Sequence, residues 1–433
     1  MKETEEVSWQ GKHVIKLRDY KEPTIIENID EQKNLRDIIE PWLTALFQSE
    51  HLSLLTGAGL SSAVHFLATG NSGAGMGNMQ ISVFKDQIKN KSQESAVRSG
   101  RGEPNIEDEI RTINELIRGL EIYLSTLPSD SLNPYLSTLK EELSVGILKF
   151  ANEVLKAERN VVTSGNENAA ECLMNFLLSF ASRIATRERL NIFTTNYDRI
   201  IEFGAELAGI HLIDRFVGTI SPIFRSSRLN IDLHYNPPGI RGEPRYLEGV
   251  VNFTKLHGSL DWLGYDDIVR RFALPYGAED VNIYSQGKGS LMIYPNSSKD
   301  RETAEYPYVE LFRDFASAII RPNSTVVTYG YSYGDDHINR VLADMLSIPS
   351  THLVIIAYND VGDRIKRFYK RAKRPTQITL LVGTHFGDLK ILVDNYLPKP
   401  AIDKTTYKMV DLLRVRNTLD ARSSKLTESE GHE

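Results

Sequence analysis

Short apolar runs alternate with longer amphipathic segments along most of the chain. The runs are predicted to be buried strands, at residues 52–56, 191–194, 251–256, 325–329, 353–357 and 377–382. Most of them lead into segments in which apolar side chains recur every three or four residues, as on one face of a helix. This alternation predicts an α/β fold, with a Rossmann-like parallel sheet and helices on both of its faces.

A helical module is predicted as an insertion between the first two strands. Asn105 is placed to cap a helix, and the apolar residues after it alternate four and three positions apart, as in a heptad seam. The seam consists of Ile106, Ile110, Ile113, Ile117, Leu120, Leu124 and Leu127. Two further helices are predicted at about 135–155 and 168–186. Because these helices follow directly, the seam is predicted to pack within the module, although a subunit interface would show the same pattern.

The domain boundaries follow from these elements. Residues 1–35 are predicted to be an N-terminal extension, and residues 36–400 the main domain, with a Gly-rich loop and the helical insertion at 69–186. Residues 401–433 are predicted to be a charged C-terminal tail. The glycines and polar residues of segment 69–103 predict a mobile loop or a lid over the candidate site.

Four of the predicted strands end in glycines or short polar side chains. The first runs into Gly57 and Gly59, a turn that lets the backbone approach a ligand and opens a helix whose amides would face a phosphate. The other ends carry Asn196 and Asp198, then His257, and finally Gly330 and Ser332. Ligands of open α/β sheets collect at the carboxyl ends of the strands, so these ends are predicted to form one nucleotide-binding crevice.

The order of these motifs resembles that of a known family. The chain has Gly-Ala-Gly-x-Ser at 57–61, Thr-x-Asn-x-Asp at 194–198, His-Gly at 257–258 and Gly-x-Ser at 330–332. Together they resemble the NAD-binding core of the sirtuins over about residues 45–395. They look closer to the bacterial defence branch of sirtuin-like NADases than to the protein deacylases.

The resemblance implies two catalytic residues. Asn196 would hold the attacking water or stabilise charge at C1′ of the nicotinamide ribose, and Asp198 would lie beside the same ribose. His257 would be the base that acts on the ribose hydroxyls. These residue types suit the reaction, since an amide can orient water and a neutral histidine can accept a proton near pH 7.

The resemblance also implies a set of positions that bind NAD+. Besides Asp198, they are Gly57, Ala58, Gly59, Ser61, Gly330, Ser332 and Asn359. The residues of the first turn would lie against the diphosphate and a ribose. The second glycine turn would contact phosphate and ribose in the other half of the site, and Asn359 would hold the adenosine ribose.

Several of these residues also have a purely structural interpretation. A histidine at a strand end is often a hydrogen-bonded structural residue, and Asn196 and Asp198 can cap the helix that follows them. Asp335 and Asp336 are predicted to cap a helix with an apolar stripe, and are therefore given no catalytic role.

The chain departs from the deacylases in two ways. Residues 63–73 replace the Gly-Ile-Pro-Asp-Phe-Arg stretch that generally follows the first motif in deacylases. Cys172 is the single cysteine, so a thiolate zinc site within one chain is excluded and no zinc is expected. These departures favour hydrolysis of NAD+ itself over NAD+-dependent deacylation.

The composition is ordinary for a soluble globular protein, with 433 residues, 41% hydrophobic and 25% charged. The polar N-terminus shows no signal peptide and no apolar run is long enough to cross a bilayer, so a cytoplasmic protein is expected. A net charge of −6 makes direct nucleic-acid binding unexpected. The basic run at 364–374 is predicted to be the solvated face of an amphipathic helix rather than a patch for polyphosphate, nucleic acid or an acidic partner.

Three classes of function fit these observations. The favoured one is an NAD+ glycohydrolase that releases nicotinamide and ADP-ribose. A deacylase or ADP-ribosyltransferase would require an acceptor, and a non-catalytic sensor would bind NAD+ or ADP-ribose without turnover. The resemblance further implies an effector of anti-phage defence, acting as a homo-oligomer with a HerA-like hexameric ATPase and held inactive until needed.

Overall fold

A computed structural model describes most of the chain up to residue 399. The described ranges are 7–17, 22–29, 34–71, 73, 77–98, 102–127, 132–183, 187–227, 232–235, 245–265, 268–281, 290–291 and 306–399. The predicted tail at 401–433 and parts of the N-terminal extension and the Gly-rich segment lie outside them.

The structure has a strand at each of the six predicted positions, and the ends of these strands lie within one residue of the prediction. Other, mostly shorter strands accompany them. In chain order, the strands are β1 (His13–Lys16), β2 (Thr24–Ile26), β3 (His51–Thr56), β4 (Asn191–Thr194), β5 (His211–Ile213), β6 (Phe216–Val217), β7 (Ile223–Phe224), β8 (His234–Tyr235), β9 (Arg245–Tyr246), β10 (Val250–Lys255), β11 (Trp262–Tyr265), β12 (Ile268–Arg271), β13 (Ser290–Leu291), β14 (Ser324–Tyr329), β15 (His352–Ala357) and β16 (Ile378–Val382).

Helices separate most of the strands of the main sheet. They are α1 (Leu35–Phe47), α2 (Ala58–Thr69), α3 (Lys85–Arg98), α4 (Ile106–Thr126), α5 (Asn133–Thr163), α6 (Glu167–Ala181), α7 (Ile200–Leu207), α8 (Tyr308–Ile319), α9 (Asp336–Met345), α10 (Arg364–Ala372), α11 (Thr384–Gly387) and α12 (Leu389–Ile391), followed by a π-helical turn at Leu392–Tyr396. None of the helices in the described ranges is long and apolar enough to cross a membrane.

The main sheet has nine strands in the order β2-β1-β16-β15-β14-β3-β4-β10-β5. The seven strands from β16 to β5 are parallel to their neighbours. At the other edge β1 pairs antiparallel with β16, and β2 with β1, so residues of the predicted N-terminal extension complete the sheet. The predicted α/β fold with a largely parallel sheet is confirmed.

Consecutive residues of the central strands enter two different cores, as the pleat of a strand requires. Leu54 packs in a core with α1, α2, α6 and α7, whereas Leu55 packs in a core with α8, α9 and α10. In β14, Val327 lies in the first of these cores and Val326 in the second. Helices therefore cover both faces of the sheet, which leaves the ends of its strands as the place for a site.

The helices α3, α4 and α5 pack around a third core, which also includes Tyr197, Leu260, Leu274, Ala278 and Val281 from outside the module. The third helix predicted for the module, α6, packs in the core of the main sheet instead. The first four residues of the predicted seam, from Ile106 to Ile117, are buried in the third core, so this half of the seam is intramolecular. Its last residue, Leu127, is 58% exposed. Asn105 and Asp108 form the capping box of α4, which confirms the predicted helix start. α3 lies in the segment for which a loop or lid was predicted.

A second, smaller sheet has the order β13-β11-β12-β7-β6, and its strand β11 follows the third motif directly in the chain. Its aromatic residues Phe216, Phe224 and Trp262 pack on one another, with ring centroids 4.9 Å apart between Phe216 and Trp262. The sequence did not predict this sheet, because its strands are too short to show a two-residue alternation.

Cys172 is expected to react with iodoacetamide only after unfolding. It is buried on α6, and burial raises the pKa of its thiol to about 12. Since the thiolate is the nucleophile, alkylation at pH 8 should be at least about 1,000-fold slower in native protein than in urea. Mass spectrometry of timed samples measures the two rates, and similar rates would contradict the burial described here.

Candidate functional site

The four polar strand ends lie side by side in the sheet. β14, β3, β4 and β10 are consecutive neighbours, and Tyr329, Thr56, Thr194 and Lys255 are aligned in register at their carboxyl ends. The motifs that follow these strands therefore meet at one edge of the sheet, as the sequence predicted.

A cavity of about 590 Å³ opens at this edge. It is lined by seven of the ten predicted site residues: Gly57, Ala58, Ser61, Asn196, Asp198, His257 and Ser332. The other three, Gly59, Gly330 and Asn359, are not in its wall. A volume in this range is typical of small-molecule and cofactor sites.

Gly59 and Gly330 hold the two glycine turns against each other. The amide of Gly59 donates to the Gly330 carbonyl at 3.0 Å, and a Cβ on Gly59 would lie only 2.5 Å from Gly330 Cα. Gly330 has a φ of +62°, which favours glycine on its own. Both glycines are thus required by the contact between two backbones, besides any approach to a ligand.

Asn359 lies after β15, beside the N-terminal segment. Its Oδ1 accepts a hydrogen bond from the amide of Gly11 at 2.8 Å. The structure thus gives this side chain a role in holding the N-terminal segment, and its assignment to the adenosine ribose stays a prediction.

Asn196 is buried, and its side-chain amide is held in one orientation. Nδ2 donates to the Gly57 carbonyl at 3.0 Å and to Ser61 Oγ at 2.8 Å. A carbonyl oxygen can only accept, so Nδ2 and not Oδ1 must face Gly57. With both amide hydrogens engaged, Oδ1 is the group that Asn196 can offer to a water or a ligand.

Asp198 closes this network and starts the next helix. Its Oδ2 accepts from Ser61 Oγ at 2.6 Å and its Oδ1 from the amide of Ile200 at 3.2 Å. The N-cap position of α7 is Arg199, so Asp198 holds the first helical amide from one residue earlier. Its place beside the ribose stays a prediction. Lys255, at the end of β10, donates to the Asp198 carbonyl and to Glu202 at 3.0 Å, and so fixes the loop that carries both site residues.

His257 is only 6% exposed, yet its Nε2 makes no hydrogen bond with any residue in the described ranges. Its ring lies beside those of Tyr197 and His337, with centroids 6.3 and 5.8 Å away. A buried polar atom without a partner costs free energy. Because His257 belongs to the cavity wall, its unpartnered nitrogen is a candidate to bind a molecule held in the cavity.

The helical module supplies the opposite wall of the cavity, which the sequence did not predict. Glu107 of α4 and Phe150 and Glu158 of α5 line it. Glu107 accepts from the Tyr197 hydroxyl at 3.0 Å, and the Phe150 and Tyr197 rings meet edge to face. The loop that carries Asn196 is thereby packed against the insertion.

Glu158 and Arg199 form a buried ion pair under this wall. Arg199 donates from Nη2 to Oε2 at 2.6 Å and from its backbone amide to Oε1 at 2.8 Å. Burial raises the pKa of the Glu158 carboxyl, and the Arg199 guanidinium opposes that shift. The pair joins α5 to the residue directly after Asp198.

One capping prediction was wrong. Asp335 stands at the N-cap position of α9, but its side chain does not cap that helix and instead lies in the cavity wall. The apolar stripe predicted for α9 is confirmed, since Ile338, Leu342 and Met345 are all buried. The described residues contain no cluster of histidine, cysteine or carboxylate side chains placed to hold a metal.

Comparison with curated proteins finds no match for this chain. A family model described as a SIR2-like domain matches residues 190–379. The matched residues include β4, β10 and β14 but not β3 and its glycine turn. In the sheet, however, β3 lies between β14 and β4. The matched segment, carrying Asn196, His257 and Ser332, supports placing the chain in a sirtuin-like family whose domains bind NAD+.

Proposed function

We propose that this protein is an NAD+ glycohydrolase, which cleaves NAD+ to nicotinamide and ADP-ribose. One observation carries the proposal: an oriented amide, that of Asn196, and a buried imidazole nitrogen without a partner, that of His257, line the same cavity. An oriented acceptor and a base are what water needs in order to attack a sugar carbon.

The reaction needs little covalent help from the protein. The bond from C1′ to the nicotinamide nitrogen breaks with its electron pair passing to the ring, which leaves as neutral nicotinamide. Positive charge develops on the ribose, and Asn196 Oδ1 stabilises it or accepts a hydrogen from the incoming water. The water oxygen bonds to C1′, and its proton passes to His257 Nε2, directly or through a ribose hydroxyl.

The product ratio tests this proposal. The purified chain should release nicotinamide and ADP-ribose in equal amounts from NAD+ in water alone. A deacylase or ADP-ribosyltransferase would form product only after an acylated protein or an ADP-ribose acceptor is added. A sensor would bind NAD+ without consuming it, so either of these outcomes would reject the glycohydrolase.

We further propose that the enzyme is a cytoplasmic effector of anti-phage defence that acts as a homo-oligomer with a HerA-like hexameric ATPase. The motif resemblance supports this role, and so do exposed apolar side chains at the distal end of α4, where Ile122 is 61% exposed. Destruction of cellular NAD+ requires control, so the isolated chain should turn over slowly and the ATPase should accelerate it. An isolated chain as active as the mixture would contradict this regulation.

A further inference from the structure

The cavity wall is rich in acidic side chains, although a dinucleotide carries a negative diphosphate. Its carboxylates are those of Glu107, Glu153, Glu158, Asp198 and Asp335. Two basic side chains line it as well, Lys149 on the helical module and Arg364 at the start of α10. A diphosphate in this cavity would therefore need a well-placed cation nearby.

Three backbone amides of the first glycine turn already donate hydrogen bonds within the protein. Gly57 donates to the Tyr329 carbonyl at 3.2 Å, Gly59 to Gly330 at 3.0 Å and Leu60 to Gly57 at 3.0 Å. The sequence had predicted that such amides would face the phosphates. With these three engaged, side-chain donors must supply more of the binding.

The side chains of Arg364 and Ser332 both lie against Gly334. A Cβ added to Gly334 would lie 2.9 Å from Arg364 Nη1 and 3.3 Å from Ser332 Oγ. Arg364 Nε donates to the Val361 carbonyl at 3.0 Å, which holds the guanidinium near the start of α10. The missing side chain of Gly334 thus lets the Arg364 guanidinium lie close to the Ser332 hydroxyl, and both groups belong to residues of the cavity wall.

We propose that Arg364 binds the diphosphate of the dinucleotide, with Ser332 Oγ as a second donor and Gly334 allowing the guanidinium to lie beside that hydroxyl. The planar guanidinium offers several N–H groups in a fixed geometry that matches phosphate oxygens. This inference rests on the proposed function, since it concerns the same cavity and its substrate. It gives one member of the basic run at 364–374 a binding role that the exposed Arg367 and Lys370 do not have, whereas Lys366 is buried and donates to the Val7 carbonyl at 2.9 Å.

Two variants and one control test the proposal. Arg364→Ala removes the cation. Gly334→Ala adds a methyl group that meets the ends of two side chains, those of Arg364 and Ser332, and no backbone atom within 4 Å, so it should fold normally. The control is Arg367→Ala, which removes an exposed arginine from the same helix, outside the cavity wall.

Each variant is assayed with NAD+ and with nicotinamide riboside, which has the same scissile bond but no diphosphate. Arg364→Ala and Gly334→Ala should raise KM for NAD+ by about 10- to 100-fold, with kcat changed less than about threefold. Turnover of nicotinamide riboside should stay as in the wild type, and Arg367→Ala should match the wild type with both substrates.

An unchanged KM for NAD+ in Arg364→Ala would overturn the proposal, as would an equal loss with both substrates, which indicates a structural role. Binding of ADP-ribose, measured by calorimetry, separates this inference from the proposed function. If the wild type does not hydrolyse NAD+, the glycohydrolase assignment fails, and the diphosphate site is then judged on binding alone. A tenfold or greater loss of ADP-ribose affinity in Arg364→Ala supports it, and equal affinity rejects it.

Discussion

Alanine in place of His257 is expected to lower kcat for NAD+ hydrolysis by about 100- to 10,000-fold, the usual contribution of a positioned general base. The ring lines the cavity and its Nε2 has no hydrogen-bond partner in the described ranges, so the substitution breaks no interaction of that atom within the fold. The loss should therefore fall on the chemical step. The measurement is single-turnover release of nicotinamide from a saturating NAD+ concentration.

The control for this variant is His211→Ala, because His211 is an exposed histidine on β5, remote from the cavity wall. It should retain wild-type turnover. Thermal unfolding of both variants within a few degrees of the wild type would show that the fold is intact. A His257→Ala enzyme with undiminished kcat would show that His257 is not the base.

Substitution of Asn196 tests the same chemical step but also disturbs the fold. Its Nδ2 joins Gly57 to Ser61, so Asn196→Ala removes two hydrogen bonds of the fold together with the Oδ1 acceptor. Turnover should fall at least as far as in His257→Ala, but stability should fall as well. Comparison of the two variants separates the water-orienting role of Asn196 from its role in holding the glycine turn.

The sequence predicted the parallel part of the fold because its signals are local. Each central strand is a buried apolar run that ends at a glycine or a polar residue, and both features can be recognised within ten residues. The convergence of Gly57, Asn196, His257 and Ser332 followed from one general property of α/β sheets, that their strands end at a common edge. The capping box of α4 was equally local.

The parts that could not be predicted depend on contacts between distant segments. Glu107 and Phe150 lie in the cavity wall only because the helical module folds back onto the loop after β4. Arg364 belongs to a basic run whose periodicity indicated a solvated helix face, and only the position of Gly334 shows where its guanidinium lies. The antiparallel β1 was missed because, unlike the equally short β4, it does not end at a motif of glycines or short polar side chains.

The packing of the module against the site leads to the second large effect. Arg199→Met is expected to lower the free energy of unfolding by about 3–5 kcal/mol at pH 7.5, because it leaves the buried Glu158 carboxylate without its cation. The carbonyls of Leu274 and Pro275, which also accept from this guanidinium, lose a donor as well. Urea unfolding followed by tryptophan fluorescence measures the change.

The loss in Arg199→Met should also depend on pH, in a predictable direction. Burial already raises the pKa of Glu158 in the folded protein, and removal of Arg199 takes away the charge that opposes this shift. Between the unfolded pKa of about 4.3 and the raised folded value, the folded state binds more protons than the unfolded state. Stability therefore falls as pH rises through that window, and Arg199→Met should be less destabilised at pH 5.5 than at pH 7.5.

The double variant Glu158→Gln, Arg199→Met provides the matched control, since it has neither charge. It should be more stable than Arg199→Met at pH 7.5 and should lack the additional dependence on pH. If the single and double variants unfold alike at both pH values, the ion pair does not hold α5 to the loop of Asp198. The cavity wall formed by the module would then depend on the apolar contacts of Phe150 and its neighbours, and NAD+ turnover in Arg199→Met should remain close to that of the wild type.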